Sequence, residues 1–123
     1  MKKEDILLHA IKAYNIPKTD KLYRYSNPIT VQRKAYKYLG NKAIIYKSLN
    51  TKKKYMVFDP HNEKWVYFGT MDPAMEDFTK HKDPERRRRY LLRSKNIKGD
   101  WESNSYSANN LSIHILWWLK PFF

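Results

Sequence analysis

The sequence predicts an α+β fold built on one small antiparallel sheet, and three observations carry that expectation. Asn27-Pro28 and Asp83-Pro84 each place a capping side chain ahead of a proline, whose fixed φ suits the first helical position. Between these two starts lie three short runs rich in Ile, Val, Tyr, Phe and Trp, separated by turn-forming residues. The chain then ends on a compact apolar segment after a Gly-, Ser- and Asn-rich stretch, so a helix should close the core.

Taken in order, residues Lys3 to about Tyr14 keep Leu7, Ala10, Ile11 and Tyr14 at helical spacing, and Pro17 stops that helix. The polar run 18–27 reads as a loop. A second helix starts at Pro28, buries Val31, Ala35, Tyr38 and Leu39 on one stripe and ends at Gly40. The period then changes to two: strands are expected at Ala43–Ser48, Lys54–Phe58 and Lys64–Phe68, as a three-stranded meander turning at Asn50–Lys53 and at Asp59-Pro60-His61-Asn62. Tyr55 and Val57 share one face and Met56 and Phe58 the other, so neither face is cleanly polar. After the Arg-rich helix, Trp101 reads as a packing anchor in the following loop. Asn109 to Leu119 carries seven apolar residues and reads as a core helix that must stop before Pro121. Leu111, Ile115 and Trp118 lie on one stripe and Ile113 and Trp117 fall away from it, so Trp117 and the terminal Phe122-Phe123 are assigned to an interface.

A length of 123 residues bounds the chain to one domain with a modest core. Twenty-five Lys and Arg against twelve Asp and Glu leave a formal charge of +13, which calls for a polyanionic partner or surface. Aromatic residues make up 15% of the chain, which argues against a disordered basic tail. Zero cysteines exclude a disulfide framework and thiolate metal sites. The acidic start, Glu4-Asp5, does not read as a signal peptide, and no window approaches a membrane span. With three glycines there is no phosphate loop, and no nucleophile elbow or His-Glu-x-x-His occurs. The chain is therefore expected to be non-enzymatic, with no cofactor, no metal and no small-molecule substrate.

The densest charge is Arg86 to Arg89, at the start of the second proline-led helix. At 100° per residue four consecutive arginines point four ways, so they cannot share one solvated face. Arg87, one turn before the inward-facing Leu91, is expected to be partly buried against a carboxylate such as Asp77 or Asp83. Arg88, Arg89 and Arg93 form an outward ridge with Lys95. Together with Lys52, Lys53 and Lys54 at the first sheet turn they are the expected nucleic-acid contacts.

A resemblance rests on several segments: Lys53-Lys54-Tyr55-Met56-Val57, Trp65-Val66-Tyr67-Phe68-Gly69, and Asp77-Phe78-Thr79-Lys80-His81-Lys82-Asp83 ahead of the Arg-rich helix with Tyr90. Asn96-Ile97-Lys98-Gly99 before Trp101, Tyr106-Ser107, Asn109-Asn110-Leu111-Ser112 and Leu116-Trp117 extend it. In these residues the chain resembles small basic proteins encoded by the giant viruses, the large double-stranded DNA viruses of amoebae and algae. Residues 43–118 carry the likeness, residues 1–42 form an N-terminal helical extension outside it, and Ala108 departs from it. The resemblance implies a viral origin and a non-enzymatic role in the virion, with the host cytoplasm as the site before assembly. Two partners follow as expectations: viral DNA bound without sequence reading, or capsid proteins that the chain would cement as a minor capsid component. Self-association through the C-terminal aromatic residues is a further expectation.

Overall fold

The computed structural model describes residues 3–118, so Phe122 and Phe123 lie outside the described residues. Among the described residues five α-helices run in chain order: α1 (Lys3–Leu7), α2 (Pro28–Leu39), α3 (Phe78–His81), α4 (Pro84–Lys95) and α5 (Ala108–Leu111). Three strands, β1 (Tyr46–Lys47), β2 (Lys53–Asp59) and β3 (Lys64–Thr70), form one antiparallel sheet in the order β1-β2-β3. The chain is a small α+β domain. The register pairs Tyr46 with Met56 and Tyr55 with Phe68, as a meander requires.

The two cap-and-proline signals behave as their chemistry demands. Asn27 Oδ1 accepts from the amides of Ile29 and Thr30, and Asp83 Oδ1 from those of Glu85 and Arg86. Asp59, at the end of β2, orders the second turn by accepting from the His61 and Asn62 amides.

The N-terminal segment corrects the sequence reading. The helix expected to reach Tyr14 stops at Leu7; a turn at Leu8-His9 leads into a short extended stretch, and Ala13–Asn15 make one 3-10 turn. Ala13 donates to Ile45 O (2.8 Å) and Lys47 to Ile11 O (2.8 Å), with Lys12 bridged to Tyr46, so residues 11–13 pair with β1. Periodicity lost here to an unpaired sheet edge, whose backbone groups need partners more than a marginal helix needs another turn. Nor are residues 3–42 an appendage. Ala13, Ile16, Leu22, Val31 and Ala35 sit in the same core as Ile45, Tyr55, Val57 and Phe68. Gln32 closes this side: its buried amide donates to Ala43 O and accepts from Ile45 N, both at 2.8 Å.

The C-terminal segment departs from a plain α-helix. α5 passes directly into a π turn over Ser112–Leu116. Leu111, Ile113, Ile115, Leu116 and Trp117 are all buried, so the segment is enclosed on most sides, consistent with about 1.5–3 kcal/mol for each large side chain removed from water. Ile113, two positions past Leu111, points to the opposite side of the segment in either helical geometry, and both sides are buried because α2 and β3 each pack against it. Assignment of Trp117 to an interface is therefore corrected: it stacks on Tyr90 of α4, with ring centroids 4.2 Å apart and planes 9° from parallel. Among the described residues no helix is long and apolar enough to cross a membrane.

Candidate functional site

A cleft of about 440 Å³ opens between α4, the Lys53–Thr70 end of the sheet and the C-terminal helical segment. Its walls divide by chemistry. From α4 come Arg86, Arg89 and Arg93, at helical spacing i, i+3 and i+7, hence on one stripe, with Tyr90 among them. From the sheet and the C-terminal segment come Phe68, Leu116 and Trp117. Five cationic side chains border the cleft, counting Lys53 and Lys54, against the two carboxylates of Glu76 and Asp77.

One of those cations is already neutralised. Lys54 and Asp77 are buried, with side chains 3% and 2% exposed, and their salt bridge is 3.1 Å long. Lys54 Nζ also donates to Met75 O (2.6 Å) and reaches Tyr25 O at 3.4 Å, so its three protons are directed at protein oxygens. Burial pushes the ammonium below its usual pKa range, with Asp77 opposing. The expectation that Lys54 contacts a polyanion is thus corrected: a buried, hydrogen-bonded ammonium has no capacity left for a phosphate.

Asp77 is also the terminus of a buried hydrogen-bond chain. Tyr55 Oη donates to Ser26 Oγ (2.6 Å), Ser26 is 3.2 Å from Thr79 Oγ1, and Thr79 donates to Asp77 Oδ1 through a short contact. Thr79 Oγ1 additionally accepts from the Asn27 amide (2.8 Å). Tyr55, Ser26, Thr79 and Asp77 are each essentially inaccessible to solvent, so every polar atom in the chain needs the next. This network fixes α3 and with it the start of α4, and so sets where the arginines point.

Arg87 has neither carboxylate partner expected for it. Its Nε donates to Trp117 O and its Nη2 to Trp118 O, both at 2.9 Å, while its guanidinium carbon lies 5.4 Å from the Phe78 ring centroid. Carbonyls at a helix C-terminus lack intrahelical donors and carry partial negative charge, so a buried guanidinium is satisfied there as well as by an acid. Asp77 is taken by Lys54 and Thr79, and Asp83 by the cap of α4.

The outward ridge is rearranged too. Arg88 is exposed and forms a two-point ion pair with Glu85 one turn earlier, at 2.5 and 3.0 Å, outside the cleft. Arg89 and Arg93 are exposed at the cleft, and Arg86, absent from the sequence-based ridge, joins them there. Among the described residues these three guanidiniums have no ion-pair partner. The i, i+3, i+7 spacing was the available signal for Arg86. Lys52, Lys53 and Lys95 are exposed, and Lys53 is the one of the three that lines the cleft.

His81 sits behind the arginines. Its Nδ1 accepts from the Asp83 amide (2.9 Å), its ring lies 5.1 Å from that of Trp117, and its buried Nε2 has no partner. Burial, with Arg86 nearby, holds its pKa below the usual histidine range. No group of three His, Asp or Glu side chains is arranged to hold a metal among the described residues. A second cavity, about 510 Å³, has Tyr38, Tyr46, Phe58, Trp65 and Tyr106 among its walls, and its Lys3 already lies over the Phe58 ring.

Residues 43–94 match the model of a family of unknown function, DUF5754. The matched span takes in the three strands, α3 and nearly all of α4, so it supplies the sheet wall and the arginine wall of the cleft. No curated protein and no solved structure matches the chain.

Proposed function

We propose that the chain is a non-enzymatic, basic nucleic-acid-binding protein that grips phosphates without reading sequence. The observation that carries this reading is the stripe of Arg86, Arg89 and Arg93, three guanidiniums on one face of α4 that form no salt bridge among the described residues. Like charges held together in a concave surface raise the local concentration of anions, and arginine's planar fork suits phosphate oxygens. Lys53 extends the grip along the cleft, and Lys52 and Lys95 add to the field at its margins. The charge of +13 supports the same partner. The likeness of residues 43–118 to small basic giant-virus proteins supports a viral origin and a place in the virion, where packaged DNA is the abundant polyanion.

The test is binding to DNA as a function of salt. Affinity should fall linearly on a log-log scale, and replacing Arg86, Arg89 and Arg93 together by alanine should flatten the slope by about 2–3, at about 0.9 per lost phosphate contact. Binding that ignores salt, or a slope that the triple variant leaves unchanged, refutes the assignment.

A capsid-cementing role is the second reading, favoured by one observation: Leu7, Leu8, Ile11 and Tyr14 are all exposed within one stretch of the N-terminal segment, Leu8 at 79%. Locating the chain in purified particles separates the two, since cement occupies ordered positions in the shell and a DNA-binding protein stays with the genome.

A further inference from the structure

We infer that the cleft receives one unpaired nucleotide of a single strand, its base against the Tyr90–Trp117 side and its phosphate on Arg86, Arg89 and Arg93. This rests on the nucleic-acid reading and goes beyond it, because phosphate binding alone does not need a cleft. A duplex backbone is satisfied by guanidiniums on a convex ridge and keeps its bases stacked inside. Here the arginines instead rim a hollow of about 440 Å³ with Phe68, Leu116 and Trp117 in its walls. That size falls within the range of pockets that take small organic groups, and apolar walls with a few polar groups at the edge are their usual composition.

The walls are also rigid. Tyr90 and Trp117 are stacked on one another, and Arg87 fastens the backbone of Trp117 to α4 through its carbonyl. Trp117 is buried beneath Tyr90, so Tyr90, the more exposed ring of the pair and on the same helix as the arginines, is the one on which a base would lie. Single-stranded nucleic acids are held this way because every base has a π face to stack and the strand carries one phosphate per base. Burial pushes the Tyr90 phenol above its usual pKa, so it stays neutral and does not repel the phosphate at physiological pH. Glu76 and Asp77 face the same hollow, and Asp77 is neutralised by Lys54.

The experiment uses the full chain and three probes: a fluorescein-labelled thymidine homo-oligonucleotide, a labelled duplex of equal length, and unlabelled thymidine 5′-monophosphate as competitor, with inorganic phosphate as its control. The single strand should bind at least about tenfold more tightly than the duplex at the same salt. Thymidine monophosphate should displace it at concentrations where inorganic phosphate does not. Ala108→Trp fills the cleft from an exposed position without removing a cation and should abolish the preference while leaving duplex binding in place. Should that variant fail to fold by circular dichroism, Thr70→Trp fills it from the exposed end of β3. Equal binding of both polymers, with the nucleotide no better than phosphate, overturns the cleft assignment and leaves the general nucleic-acid reading standing. Absence of binding to either polymer overturns both.

Discussion

Replacing Lys54 by methionine tests whether the buried network governs stability. Methionine keeps most of the volume, so the perturbation is electrostatic: the Asp77 carboxylate stays 2% exposed with its cation gone, and the carbonyls of Met75 and Tyr25 lose a donor. Breaking a buried pair by removing one member costs about 3–5 kcal/mol, because the remaining charge is uncompensated. Against a typical total of about 5–15 kcal/mol, that is a large fraction. At this chain length it should lower Tm by roughly 10–25 °C. Lys54→Met combined with Asp77→Asn should recover more than half of the loss, since an asparagine oxygen can still accept from the Thr79 amide and cap α3. Thermal and urea denaturation of the four proteins give the coupling directly. A single-variant cost under about 1 kcal/mol, or a double variant whose loss equals the sum of the singles, would refute the claim that Lys54 and Asp77 form one unit.

Asp83→Ala should destabilise by about 1 kcal/mol through loss of the α4 cap, seen as a lower urea midpoint at unchanged slope. Gly69→Ala should cost about 1–3 kcal/mol, because φ is +80° there and a Cβ would stand 2.9 Å from Leu116 Cδ1; a neutral outcome would mean that the strand relaxes. His81 and His114 both have pKa values held below the usual range by burial, His114 stacked 4.3 Å from Tyr38. The unfolded chain then binds more protons than the folded one just below the ordinary histidine pKa of 6.5, so stability should fall as pH drops through that window. His81→Asn with His114→Gln should flatten the dependence of Tm on pH between neutrality and mild acid. Arg88→Ala should change DNA affinity less than Arg86→Ala, since Arg88 is held by Glu85 away from the cleft; equal losses would point to a diffuse field in place of a defined site.

Much of the architecture is legible because it is decided locally. Asn27, Asp83 and the prolines after them fix helix starts through bonds within three residues, and the runs of β-branched and aromatic residues in β2 and β3 mark strands through local preference. The site was less legible because its arrangement is decided by distant partners. Lys54 reads as a turn lysine until Asp77, twenty-three positions later, is known to face it. Arg87 reads as needing an acid, whereas carbonyls thirty positions away satisfy it, and backbone acceptors leave no mark on a sequence. The N-terminal helix failed for the same reason, since the sheet edge that captures residues 11–13 is formed by Tyr46 and its neighbours. Arg86 is different: its stripe with Arg89 and Arg93 is visible in the i, i+3, i+7 spacing alone.

The chain from Tyr55 through Ser26 and Thr79 to Asp77 bears on how the protein is made. Ser26 and Thr79 are separated by 53 positions, and closing a loop of that length costs about 3.5 kcal/mol of chain entropy beyond the length-independent part. A nascent chain that has emerged only as far as β3 holds Lys54 with no anion and Tyr55 with half of its relay, so the first seventy residues gain little by settling early. Folding should therefore wait for α3 to leave the ribosome and then proceed in one step. Stalled chains released before residue 77 should remain protease-sensitive, and those released after the π turn should be protected across the sheet.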